Sequence, residues 1–128
     1  ETAPDGTPYI GIAPQANLAN VLSCCSGDIE DIIRGIEWTI ANQDRFGIRV
    51  MTSSLGEQQV EFHIDNDGSS AWSQAMDAAV ESGLVVTLSA GNEFGAATVA
   101  GCNTIDSPGD ARLPITVAAL DKDLWLAV

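Results

Sequence analysis

The feature that most constrains this chain is an alternation of helix-period segments with short apolar runs. Ile29, Ile32, Ile33, Ile36 and Ile40 recur mainly at spacings of three and four, which predicts a helix with one buried face. Ser26 or Asp28 can cap its start, and Phe46-Gly47 ends it, with Gly47 at the left-handed position. Ile48-Arg49-Val50-Met51 then reads as a strand. A second helix starts at Ser69 or Ser70, turns Trp72, Met76, Ala79 and Val80 inward, and closes at Glu81-Ser82-Gly83. Leu84 to Leu88 is a continuous apolar strand of the kind buried on both faces. Asn17 to Leu22 predicts a further strand before the first helix, and Ile115 to Ala119 one after the Gly/Ala-rich loop. Strand, helix, strand, helix, strand is the pattern of a parallel sheet with right-handed crossovers. The fold class is α/β.

Composition narrows the partners. The net charge is −13, with 5 Lys+Arg against 18 Asp+Glu. Nucleic acid is excluded as a partner, because phosphate binding needs a basic face. With 45% hydrophobic residues the chain is no disordered acidic tail. No apolar run approaches the ~20 residues of a membrane span. An excess of Asp over Lys fits either a protein kept soluble in high salt or an ordinary acidic secreted protein. Cys24, Cys25 and Cys102 are either small buried thiols or, in an oxidising compartment, one bridge from Cys102 with a thiol left over. Those cysteines and His63 lack the spacing of a zinc site.

In parallel sheets function gathers at the carboxyl ends of the strands. Ser53-Ser54-Leu55-Gly56 follows one strand and Ser89-Ala90-Gly91-Asn92 another. Both are small segments that let another backbone approach closely. Gly91-Asn92-Glu93-Phe94-Gly95 is no phosphate cradle, since it lacks the Lys and the following helix. His63, Asp65 and Asp67 before Gly68 do not form an EF-hand loop, whose first and twelfth positions would be His63 and Gln74.

Several runs, in order, resemble subtilisin-like serine proteases (subtilases). Gly11 to Leu18 resembles the segment leading into a core strand, and Asp31 to Trp38 the next helix. Ser54-Leu55-Gly56 resembles the substrate-binding strand. Ser70 to Asn92, ending in Ala90-Gly91-Asn92, resembles the helix and strand that deliver the oxyanion-hole Asn. Thr104 to Gly109, followed by Ile115-Thr116-Val117, resembles the last pocket wall and the next strand. The resemblance implies a three-layer sandwich with a mostly parallel sheet.

It also implies roles. Asn92 would donate its side-chain amide to the negative oxygen of a tetrahedral intermediate. Ser54, Leu55 and Gly56 would pair with an extended peptide substrate, Gly56 leaving room for its side chain. Ser89, Ala90 and Gly91 would line the other pocket wall. Asp106 would lie near the pocket floor, favouring Lys or Arg before the cut. The Ser107-Pro108 bond would be cis. Asp5 falls where the family carries a structural calcium ligand, and no cofactor is needed for the chemistry. Thr52 and Ser53 depart from the family's usual Asn and apolar residue, and Cys24-Cys25 stand in a shortened loop.

The family's Asp, His and Ser act as orienter, base and nucleophile. Their motifs are not found in this sequence, and His63 lacks the Gly-Thr context of the base. Residues 1–128 are therefore expected to be the central part of one subtilisin-like peptidase domain, cut at both ends and inactive alone. Glu1 at the start and apolar Leu124 to Val128 at the end fit that expectation. The segment alone is expected to be marginally stable, with one sheet face uncovered. The implied partner is a peptide or protein substrate and the implied location extracellular. Two alternatives stand beside the endopeptidase: a degenerate subtilase that only binds, and an unrelated doubly wound ligand-binding domain.

Overall fold

The computed structural model describes residues 2, 4–8, 10–23, 28–56, 67–92 and 105–119. Cys24, Cys25, Cys102, His63, Ser26, Asp65 and the run Leu124 to Val128 lie outside the described residues. The elements are α1 (Ile29–Phe46), β1 (Val50–Ser53), α2 (Ala71–Glu81), β2 (Val85–Ser89) and β3 (Ile115–Val117).

Local chemistry sets each boundary. Of the two candidate caps for α1, Asp28 does the work, accepting from Glu30 N at 2.9 Å. Glu30 and Asp31 in the first turn and Arg45 in the last complement the helix dipole. Gly47 closes α1 in the left-handed region at φ 65. Ser70 caps α2, accepting from Ser73 N at 3.0 Å. The C-cap of α2 is Ser82, and Gly83 follows it at φ 101.

All three strands are parallel, in the order β1-β2-β3. The register pairs Met51 with Val86, and Ser53 with Leu88. It also pairs Leu88 with Thr116. These residues face the helices. The core contains Ile36 from α1, Trp72, Met76 and Ala79 from α2, and Leu84, Val86 and Leu88. Each large apolar side chain buried this way contributes about 1.5–3 kcal/mol. Gln43 Nε2 donates to Ser82 O at 3.3 Å and ties α1 to the end of α2. The opposite sheet face is bare among the described residues: Val50, Val85, Ile115 and Val117 are 60%, 50%, 57% and 57% exposed. The described part is thus a partial α/β domain with helices on one face of the sheet.

Several expectations shift: β2 is buried on one face only, with Val85 50% exposed, and β3 ends at Val117 rather than Ala119. β1 starts at Val50 rather than Ile48, because Ile48 N is taken by Gln43 O at 2.8 Å. Residues 17–22 form no strand. A strand needs a neighbour for its ladder, and Leu18 stands 95% exposed. Instead residues 20–23 lie against α1, where Gly35 admits them: a Cβ there would meet Ser23 Cβ at 2.8 Å.

Candidate functional site

The carboxyl ends of β1 and β2 open on the same edge of the sheet, because the strands are parallel and adjacent. Ser54, Leu55 and Gly56 continue from β1 and are exposed. From β2 come half-buried Ser89 and Ala90, then exposed Gly91 and Asn92. Gly91 adopts φ 97, a turn that glycine takes without steric cost, and it directs Asn92 away from the strand line.

A third segment closes the site from behind. Asp106 N donates to Ala90 O at 3.2 Å, and Ala90 N donates to Val117 O at 3.0 Å. The turn 106–109 therefore docks on the end of β2 next to β3. A Cβ on Gly109 would stand 2.5 Å from Ser89 O, so glycine alone allows this approach. Thr116 Oγ1 donates to Gly109 O at 2.6 Å and secures the turn from the β3 side. The Ser107-Pro108 peptide is cis.

Asp106 is buried at 7% exposure, yet it faces the first wall. A Cβ on Gly56 would lie 3.6 Å from Asp106 Cβ and 3.8 Å from Asp106 Oδ2. Gly56, Ala90 and Asp106 are thus brought together from positions far apart in the chain. Ser89 joins them through Gly109, and Leu55 is held beside Gly56 by the chain. Asn92 is placed by continuity, two residues past Ala90. Among the described residues, Gly56, Ala90 and the 106–109 turn thus meet at one edge of the sheet, with the Asp106 carboxylate beside Gly56.

Asp5 is far simpler. Its Oδ1 accepts from Thr7 N at 2.9 Å, and this backbone bond, with the Thr7 hydroxyl, lowers its pKa below 3.8. Among the described residues no three His, Cys, Asp or Glu side chains gather as metal ligands.

Sequence reasoning missed Ser73, Ser107 and Asp110. They form a polar cluster with Ser70 behind the 106–109 turn. The serine at the α2 cap, three residues before Ser73, was its one visible sign.

Comparison with known proteins agrees with this architecture. The model of the subtilase family, Peptidase S8, matches residues 2–124. The serine protease AprX of Bacillus subtilis is 37% identical over 121 residues, covering 90% of this chain and 26% of AprX. Subtilisin DY of Bacillus licheniformis is 34% identical over 120 residues, covering 91% of this chain and 38% of that protein. A putative subtilase-type proteinase of Schizosaccharomyces pombe, isp6, is 28% identical over 112 residues, covering 85% of this chain and 21% of isp6. The chain spans well under two thirds of the length of each of these relatives. On the family match and these identities, the chain belongs to the subtilase family.

Proposed function

We propose that residues 1–128 supply the substrate-binding and oxyanion core of a serine endopeptidase. The observation that carries this reading is the convergence of Gly56, Ala90 and Asp106 at the strand ends, two residues from Asn92. An extended substrate lays its backbone along Ser54 to Gly56 by strand addition. The side chain before the scissile bond enters between Gly56 and Ala90. As the acyl carbon becomes tetrahedral, its oxygen gains charge, and the Asn92 amide donates to it. Asp106 at the back of the cleft pairs best with a guanidinium or ammonium once water is excluded.

In this reading the nucleophile, base and orienter come from outside residues 1–128, and this stretch alone does not hydrolyse peptides. The reaction needs no cofactor. The whole protein acts outside the cell, as suits a chain with this acidic surface.

The test is a fluorophosphonate label on the longest natural form of the protein. Covalent labelling of one serine supports the reading, and an intact unlabelled protein refutes it. A peptide library on the labelled form then tests Asp106: a preference for large apolar residues before the cut removes its role.

A further inference from the structure

Behind the cleft, four polar side chains meet at the start of α2. Ser73 and Ser107 are buried, and Ser70 and Asp110 are half-buried. Ser70 Oγ donates to Ser73 Oγ at 2.8 Å. Ser73 Oγ donates to Asp110 Oδ1 at 2.6 Å. Asp110 Oδ2 accepts from Gly68 N at 3.0 Å. Ser107 Oγ lies 2.6 Å from Ser70 Oγ and 3.1 Å from Ser73 Oγ.

Counting protons fixes the direction. A carboxylate only accepts, and each hydroxyl has one proton. The Ser73 proton goes to Asp110 and the Ser70 proton to Ser73. The proton left is that of Ser107, and its nearer acceptor is Ser70. Ser70 then accepts from both Ser107 and Ser73 N, which fills its capacity. The bonds run one way, from Ser107 through Ser70 and Ser73 to Asp110. Each polarises the next, so the set is stiffer than its separate members.

Ser107 adjoins Asp106, and Ser107 O lies 3.7 Å from where a Cβ on Gly56 would stand. A tether on Ser107 is therefore a tether on the back of the cleft. We propose that this hydroxyl chain is a positioning device: it holds Ser107 and thereby sets the distance from the Asp106 carboxylate to Gly56, which selects for a cationic substrate side chain. This inference rests on the cleft being the pocket proposed above. Ser70, Ser73, Ser107 and Asp110 are positioning residues and touch no substrate.

The experiment compares the full natural protein with its Ser107→Ala and Asp110→Asn variants. Two peptides are used, identical except for Arg or Leu before the scissile bond, and each protein is also melted. The expected result is a KM for the Arg peptide raised about tenfold, as for a lost hydrogen bond to a charged network. kcat stays within about twofold, and the Leu peptide is unaffected. Unchanged KM, or equal losses on both peptides that track the melting temperature, overturns the proposal. So does an unsubstituted protein that does not favour Arg. If the unsubstituted protein cleaves neither peptide, the peptidase reading fails by itself, and calorimetric binding of benzamidine decides the network. Binding about tenfold weaker in both variants sustains it. Equal affinity, or none for the unsubstituted protein, overturns it. Asp110→Asn keeps side-chain volume, so the comparison survives a Ser107→Ala protein that does not fold.

Discussion

Gly109→Ala tests the docking of the 106–109 turn most sharply. The new Cβ would stand 2.5 Å from Ser89 O, 3.0 Å from Asp106 O and 3.2 Å from Ile105 Cγ2. Close carbon–oxygen contacts settle near 3.3–3.6 Å, so the first is short by about 1 Å. Neither oxygen sits at the end of a movable side chain. Ser89 O belongs to β2, paired with β3 through Val117, and Asp106 O accepts from Asp110 N at 3.2 Å. Relief requires the turn to lift off β2 and strains the Asp106 N to Ala90 O bond. Overpacking of this kind costs about 1–3 kcal/mol, and a backbone-limited case belongs at the upper end. Replacing glycine also restricts the unfolded chain, which returns about 0.4–1 kcal/mol. The expected net loss is about 2 kcal/mol. It is read as a lower urea midpoint at unchanged m-value in the natural protein. Gly11→Ala is the matched control, since nothing lies within 4 Å of its new Cβ. Its stability should stay within about 0.5 kcal/mol of the parent. A Gly109→Ala protein as stable as the Gly11→Ala protein would refute the reasoning.

Three further outcomes follow from the same geometry. Asn92→Ala should lower kcat far more than it changes KM; the loss of about 10²–10³-fold is a magnitude measured on a subtilisin and carried over here, and an unchanged kcat removes Asn92 from the oxyanion site. Gly56→Ala places its methyl 3.6–3.8 Å from Asp106 and Ser107 O, ordinary contact, so stability should hold while KM for long basic side chains rises; steady-state kinetics with Arg and Ala peptides checks this. The Ser69 hydroxyl and amide hold the Asp67 carboxyl below its usual 3.8, so its contribution is present above that pH and is lost as pH falls through the lower folded value. In Asp67→Asn, urea midpoints below pH 3.8 should fall less steeply than in the parent; identical acid limbs would count against the bond.

Periodicity made both helices legible, because the isoleucines of α1, and Trp72, Met76, Ala79 and Val80 of α2, recur at spacings that place them on one face. Their ends were legible too, since Asp28, Gly47 and Ser70 act through bonds to near neighbours. Strand limits were less so. Ile48 looks like a strand residue, yet its N–H belongs to the end of α1. Asn17 to Leu22 has a strand's composition, but composition says nothing about whether a neighbouring strand is there to pair. The meeting of the site's loops was legible in outline, because adjacent parallel strands deliver their following loops to one edge. The distance from Gly56 to Asp106 depends on how three loops meet. The hydroxyl cluster was illegible for the same reason: Ser73 and Ser107 are 34 residues apart, and Ser73 and Asp110 are 37.

The one-way order of that cluster has a consequence for how the sequence can change over time. Any single replacement strands a partner: without Ser107, Ser70 loses a donor, and without Asp110, the Ser73 proton loses its acceptor. A buried polar group left this way costs about 1–3 kcal/mol, whereas exchanging all partners together for apolar groups of similar shape is nearly neutral. Ser70, Ser73, Ser107 and Asp110 should therefore be inherited as a block. Relatives would carry either the whole hydrogen-bonded set or a wholly apolar substitute, with intermediates rare because each is less stable than either end. The back of the cleft would then diversify by jumps, while the exposed rim at Ser54 and Leu55 is free to drift one residue at a time.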